Sequence, residues 1–116
     1  MAADTTDTPQ LDEALAQYSR EKFTAAIGQT FLLRLTPETA LPLTLRTVSD
    51  SRYNNPQFDS FVIYFSPQQE AAPLPDDSYL LEHHDLGKLF IHLSATLASD
   101  GGPRDYEYEA VFNLKK

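Results

Sequence analysis

The feature that most constrains the fold of this chain is a strictly alternating stretch near its C-terminus, at residues 106–113. The residues of one parity are aromatic or small and apolar: Tyr106, Tyr108, Ala110 and Phe112. Glu107 and Glu109 have the other parity. Alternation with a period of two predicts a β-strand whose aromatic face is buried and whose glutamate face is solvated. Because such a strand is costly to expose, we expect the rest of the chain to form a groove that accepts it.

A short helix is predicted before the strands. The apolar spacing from residue 11 to residue 27 fits either one helix with a break near Ser19 or a short helix from about residue 19 to residue 26. Phe23 and Ile27 lie four residues apart and are expected to be its buried anchors. Gly28 suits the position just after the helix end, where the backbone is often left-handed.

Five more strands are predicted from apolar runs bounded by turn formers, at residues 29–35, 41–48, 58–65, 79–84 and 89–98. Pro42 indicates either an edge strand or a strand entrance. Apolar residues of both parities predict that the 58–65 strand is covered on both faces. Residues 66–77 contain three prolines and are expected to form a long loop.

The predicted fold class is therefore mainly β (α+β by count). We expect a small antiparallel curled sheet or barrel of about six strands, with one N-terminal helix that plugs one end or face. A chain of 116 residues, 41% apolar, fits a single β-rich domain, which we place at residues 11–116. Residues 1–10 are small, polar and acidic, and are predicted to be a disordered tail.

Composition excludes several functional classes. The chain has no cysteine, which rules out a disulfide framework, a thiolate zinc site and a cysteine nucleophile. No apolar run approaches the ~18 residues that a membrane helix needs, and residues 1–10 lack the features of a signal peptide. The expected localisation is cytoplasmic by default, and export without a classical signal peptide stays open.

The net charge of −8 is unevenly distributed. Between Arg52 and Lys88 there is no lysine or arginine, and six acids lie there: Asp59, Glu70, Asp76, Asp77, Glu82 and Asp85. A negative field repels phosphate backbones and anionic lipids, so we expect no nucleic-acid partner and no membrane partner. The acidic stretch is interpreted as a solvated surface, with a docking face for a basic partner or for calcium as the alternatives.

Histidines are the strongest candidates for metal binding. If residues 85–88 form a hairpin with a two-residue loop, His83 and His92 share one sheet face and could bind a metal with Asp85 or Asp105 as third ligand. The interpretation that we favour is a half-buried His83 whose ring nitrogens are hydrogen-bonded. We therefore expect no metal and no other cofactor.

Other chemical signatures are absent from the sequence. Asp76 and Asp77 lack the residue order of a calcium loop, and no nucleophile elbow or phosphate-binding loop is present. We therefore expect that the protein is not an enzyme and has no catalytic residue. The candidate partner contacts are loop or acidic residues and one histidine: Tyr53, Asn54, His83, Asp76 and Asp77.

Several segments together resemble a known family. They are Phe23 with residues 27–31, the 58–65 strand, Tyr79 with His83 and the Leu-Gly pair at 86–87, and the ending at 106–113. The set resembles DUF6916, a bacterial domain family of unknown function, over roughly residues 20–114; its most specific part is the Tyr-x-Ala-Val-Phe-Asn ending. The resemblance implies a compact, mostly β domain with no known activity or cofactor. It also implies an assembly role in bacterial, phage-tail-like gene sets. The Pro-rich loop at 66–78 and the acidic tail depart from the family pattern.

Three functional hypotheses follow. The first is a non-enzymatic protein-interaction or assembly module that pairs with another protein chain, either a second copy or a co-encoded protein, and it rests partly on a free strand edge near Pro42. The second is a small β-barrel that binds a small apolar ligand in a cavity lined by Phe61, Ile63, Tyr79, Ile91, Tyr108 and Phe112. The third is a metal-dependent enzyme that uses His83 and His92.

Overall fold

Six antiparallel strands close into a barrel in the computed structural model, which describes residues 19–69, 71–97 and 106–115. The helix α1 (Arg20–Ala25) precedes strands β1 (Thr30–Thr36), β2 (Thr39–Asp50), β3 (Phe58–Pro67), β4 (Asp77–His83), β5 (Gly87–Leu97) and β6 (Tyr106–Lys115). The order around the barrel is β1-β2-β3-β6-β5-β4. The predicted fold class is confirmed. The predicted tail at residues 1–10 lies outside the described residues, as does the 11–18 part of the longer helix.

Helix α1 lies within both predicted alternatives, which differ only at residues 11–18, outside the described residues. The Ser19 side chain accepts a hydrogen bond from the Lys22 N–H at 3.2 Å, which caps the first turn. The helix ends before Gly28, whose φ of 89° turns the chain into β1. Phe23 is a buried anchor as predicted, but the same prediction is wrong for Ile27, which is 42% exposed. Ile27 lies beyond the end of the helix, so its side chain no longer follows the helical spacing.

The helix closes one end of the barrel. The Phe23 ring stacks on Phe112 with a centroid distance of 5.3 Å and lies 6.2 Å from the Phe61 ring. Arg20 holds the helix to the neighbouring strands through ion pairs with Asp50, at 2.7 Å, and Asp59. Because Phe61 belongs to the buried core, the helix packs against the inner side of the barrel wall.

Strand β3 has one buried and one partly exposed face. Its inward residues Phe61, Ile63 and Phe65 are fully buried, whereas Val62 and Tyr64 are only half-buried. Ser60 and Ser66, which share the outer parity, are each 1% exposed, so the prediction that this strand is covered on both faces is correct for part of its length. Val62 is a small apolar residue and Tyr64 is amphipathic, and both types tolerate partial exposure on an outer face.

Strand β6 lies between β3 and β5 and closes the barrel. Tyr108 and Ala110 are buried, which confirms the predicted inner face. Glu107, predicted to be solvated, is 1% exposed and pairs with Arg46 at 3.0 Å, so that part of the prediction is wrong. Arg46 is the extra residue at a register shift in β2, and such a bulge can redirect a side chain. A buried carboxylate is tolerated when a cation neutralises it.

Pro42 does not lie at a sheet edge. It pairs with Leu32 of β1, and its carbonyl accepts a hydrogen bond from the Gln68 N–H at 3.0 Å. The β2–β3 ladder begins at the next residue, Leu43. Pro42 therefore marks the entrance to that ladder, and the edge alternative is wrong. Each described strand has a neighbour on both sides, although the β1–β4 and β5–β6 ladders are short, at three and four residue pairs.

Tyrosine hydroxyls hold the loop between β3 and β4. This loop is shorter than predicted, because β3 continues to Pro67. Tyr106 donates to the Ala71 carbonyl at 2.8 Å, and Tyr79 donates to the Pro75 carbonyl at 2.6 Å. Tyr108 accepts from the Leu74 N–H at 3.0 Å. The loop is thus fixed at the end of the barrel opposite α1.

Candidate functional site

The β4–β5 hairpin decides where the histidines lie. His83 pairs with Gly87 and His92 pairs with Ser78, so three residues form the turn. Gly87 adopts a φ of 80°, which suits the longer turn. The predicted two-residue loop is therefore wrong, and so is the shared face: His83 points inward and is 5% exposed, whereas His92 is exposed.

The described residues contain no group of three or more potential metal ligands. Asp105, one of the predicted third ligands, lies outside the described residues. The geometry on which the two-histidine site depended is therefore lost with the change of hairpin register.

Both ring nitrogens of His83 are occupied. Its Nδ1 accepts hydrogen bonds from the Asp85 and Leu86 N–H groups, each at 3.1 Å. The ring proton is thus at Nε2, which donates to the Gln29 Oε1 at 2.6 Å. The ring also stacks on Phe31 at 4.5 Å. The hydrogen-bonded interpretation of His83 is confirmed.

The surroundings of His83 favour its neutral form. Burial lowers the pKa of His83, and the nearby His84 lowers it further, against an opposing effect of Asp85. His83 lines two shallow clefts of about 400 and 530 Å³ on either side of the β4–β5 turn. Proton transfer by this ring requires breaking the hydrogen bonds that shape the turn, so His83 is a poor general base.

The outer face of β1, β4 and β5 carries three neighbouring apolar side chains. Leu80 pairs directly with Phe90, and Leu32 is the diagonal neighbour of Leu80 on the next strand. Phe90 is 65% exposed, and the two leucines are half-buried. We call these three residues, Leu32, Leu80 and Phe90, the outer patch. Aromatic and aliphatic side chains grouped in this way are typical of binding surfaces.

An ion pair lies between Leu32 and Leu80 of the outer patch, and a cleft borders the patch. Arg34 and Glu82 form a salt bridge at 3.0 Å across β1 and β4. The cleft has a volume of about 450 Å³ and lies beside the end of β1, where Leu35 is 41% exposed. Its lining residues are Arg34, Leu35, Thr36, Pro37, Leu80 and Glu82. Leu35 gives the cleft an apolar wall. Arg34 and Glu82, which neutralise each other, supply its polar groups.

Exposed acids stand at the same end of the barrel as this cleft. Glu38 lies in the turn after β1, and Asp76 and Asp77 lie at the start of β4. Because β1 and β4 are antiparallel neighbours, the end of β1 and the start of β4 lie side by side. The predicted contacts Asp76 and Asp77 therefore border the cleft end of the barrel.

The other predicted contacts lie elsewhere. Tyr53 is 60% exposed in the β2–β3 loop, at the α1 end, and the Arg52 guanidinium stacks 5.0 Å above its ring. The Asn54 side chain accepts from the Ser60 N–H at 3.1 Å and shapes that loop. The structure therefore does not bring the five predicted contact residues together.

Sequence reasoning did not find the outer patch, although a signal was present. Phe90 has the opposite parity to its neighbours Leu89 and Ile91, which are buried. An aromatic residue on the solvent parity of an alternating strand indicates a surface ring. The pairing of Phe90 with Leu80 required the hairpin register, which the sequence did not reveal. No helix among the described residues is long and apolar enough to cross a membrane.

Comparison with known proteins identifies the family. The family model of a domain of unknown function, DUF6916, matches residues 18–112. The chain therefore belongs to this family, and the resemblance noted from the sequence is confirmed. No curated protein and no solved structure matches the chain.

Proposed function

We propose that this DUF6916 domain is a non-enzymatic protein-interaction or assembly module that binds a different protein chain through the outer patch. The observation that carries the proposal is the pairing of Phe90 with Leu80 on the outer wall of a closed barrel. Phe90 is 65% exposed on the outer face of β5, where the other residues are polar. An aromatic side chain that becomes buried on binding supplies much of the energy of an interface.

The mode of binding follows from barrel closure. Each described strand has a neighbour on both sides for at least part of its length, so the barrel offers no fully free strand for a partner to extend. We therefore take contact through side chains as the mode of binding. The outer patch supplies apolar area, and the half-buried Arg34–Glu82 pair between Leu32 and Leu80 supplies polar groups for orientation.

The net charge favours a different chain over a second copy as the partner. Two copies that meet through the same patch bring two identical acidic surfaces together, each on a chain of net charge −8. Like charges brought together in this way cost free energy. The candidate partners are the proteins encoded beside this one, including those of a phage-tail-like gene set.

The test compares two exposed apolar residues on different faces. Phe90→Ser removes the aromatic anchor, and Val111→Ser removes an apolar group that is 57% exposed on the outer face of β6. With purified products of the neighbouring genes, we expect Phe90→Ser to weaken binding by at least about tenfold, as loss of a hot-spot aromatic does. Val111→Ser should change it by less than about twofold. Equal effects of the two substitutions, or none from Phe90→Ser, contradict the proposal.

The alternative, a barrel that binds a small apolar ligand, draws no support from the described interior. Phe61, Ile63 and Tyr108, three of the predicted cavity residues, belong to one packed core cluster. The clefts described above are lined by other residues on the outside. No observation on the described residues favours a ligand cavity over a packed core.

A further inference from the structure

The charged residues around the outer patch differ between the two ends of the strands. Glu38, Asp76 and Asp77 stand at the cleft end and are all exposed. Lys88, which pairs with Glu82, lies on the other side of Phe90, toward the α1 end. Among the described residues, the acids at the cleft end therefore outnumber the cations, since Arg34 is neutralised by Glu82.

We infer that the segment which docks on the outer patch carries an apolar anchor flanked by lysine or arginine. The anchor side chain enters the cleft between Leu35 and Leu80, and the cation faces Glu38, Asp76 and Asp77. This inference rests on the proposed function and adds the chemistry of the partner. It is carried by the position of three exposed acids, Glu38, Asp76 and Asp77, at the same barrel end as a cleft with leucine walls.

Several physical features support this assignment. The cleft has a volume of about 450 Å³, enough to receive an anchor side chain. When the anchor is buried and the cation reaches the rim, the opposite charges are complementary. Their attraction also raises the association rate of the segment. An acidic segment meets repulsion at the rim, so the same surface discriminates between apolar segments by the sign of their flanking charge.

The probes are two synthetic peptides of equal length, one of alternating leucine and lysine and one of alternating leucine and glutamate. Titration into the full chain, followed by methyl NMR, should show that the lysine peptide shifts the Leu35 and Leu80 methyl signals and leaves Val111 unchanged. The glutamate peptide should bind at least about tenfold more weakly. Equal binding of the two peptides, binding of neither, or shifts confined to other residues overturns the inference.

A charge-reversal pair provides the matched control. The double variant Glu38→Lys/Asp76→Lys changes the rim, and Glu21→Lys/Asp85→Lys changes the net charge by the same amount at the α1 end, where both acids are exposed. The rim variant should weaken the lysine peptide about tenfold and reduce its salt dependence, whereas the control should weaken it less than about twofold. Equal weakening by both variants means that only the overall charge matters, and it overturns the inference.

The same variants separate this inference from the proposed function. If a natural partner is lost with Phe90→Ser but binds the rim variant normally, the patch is an interface and only the partner chemistry assigned here is wrong. If the natural partner is unaffected by Phe90→Ser, the proposed function itself fails. Thermal unfolding of each variant, with a midpoint equal to that of the wild type, establishes that the changes act on the surface and not on folding.

Discussion

The Arg46 guanidinium and the Glu107 carboxylate meet at 3.0 Å across strand β3, joining β2 to β6 on the outside of the barrel. The Glu107 side chain is 2% exposed and the Arg46 side chain 25% exposed, so the pair brings together a buried anion and a half-buried cation. Desolvation of such a pair cancels much of its attraction. Its main effect on stability appears when one partner is removed.

Arg46→Met should therefore destabilise the domain more than Glu107→Gln does. The arginine substitution leaves a buried carboxylate without this cation and should lower the free energy of unfolding by about 3 kcal/mol. The double variant should lose less than the two single variants together, because the second substitution removes the carboxylate that lost its arginine in the first. Urea denaturation measures all four proteins. Additive losses contradict a coupled pair.

Phe112→Ala tests the seal between α1 and the closing strand. The Phe112 ring stacks on both Phe23 and Phe61, at centroid distances of 5.3 and 5.2 Å, and the three rings form a cluster. Removing it leaves a cavity among these rings, and the free energy of unfolding should fall by about 3 kcal/mol. Val111→Ala, at the neighbouring exposed position, should change it by less than about 0.5 kcal/mol. An unchanged melting temperature for Phe112→Ala contradicts this packing.

The alternation at residues 106–113 predicted β6 and its inner face because period-two patterning depends only on local sequence and one buried side. The same reasoning failed at Glu107, whose burial depends on Arg46, a residue about sixty positions away. It failed at Pro42 because barrel closure depends on which strands meet, and no single segment encodes that. Local patterns therefore identified the strands, whereas their closure and long-range ion pairs required the structure.

The candidate site shows a similar division. The exposure of Tyr53, Asp76 and Asp77 agreed with their loop-forming surroundings, but their separation to opposite ends of the barrel depends on strand order. The outer patch depends on a hairpin turn of three residues, which shifts His83 from Phe90 to Gly87. A one-residue difference in turn length reverses which parity faces outward. This is why Phe90 and Leu80 were not identified as neighbours.

Tyr108→Phe tests the attachment of the β3–β4 loop to the barrel. The substitution keeps the buried ring and removes only the hydroxyl that accepts the Leu74 N–H. One lost hydrogen bond should lower the free energy of unfolding by about 1 kcal/mol. Amide hydrogen exchange at Leu74 should become faster, while exchange at Phe61 in β3 should follow only the global loss. Unchanged exchange at Leu74 means that the hydroxyl does not hold the loop.

The pH dependence of stability should report the state of His83. Burial lowers its pKa in the folded protein below the value of about 6.5 that it has when unfolded. The unfolded chain therefore binds the proton more readily, so the contribution of His83 is fully present above about pH 6.5. It is lost as the pH falls below that value and stays lost below the folded pKa. Protonation of Nδ1 also removes the two hydrogen bonds that this nitrogen accepts from the Asp85 and Leu86 N–H groups.

Urea denaturation at pH 7.5 and pH 5.5 measures this effect in three proteins. The wild type should be less stable at pH 5.5, and His83→Gln should lose that difference together with part of its stability at pH 7.5. His92→Gln removes an exposed histidine on the outer face and should keep the wild-type difference. The three proteins have the same carboxylates, so the contribution of these groups cancels in the comparison. A pH difference that persists in His83→Gln contradicts the assignment, because the proton uptake must then occur at another group.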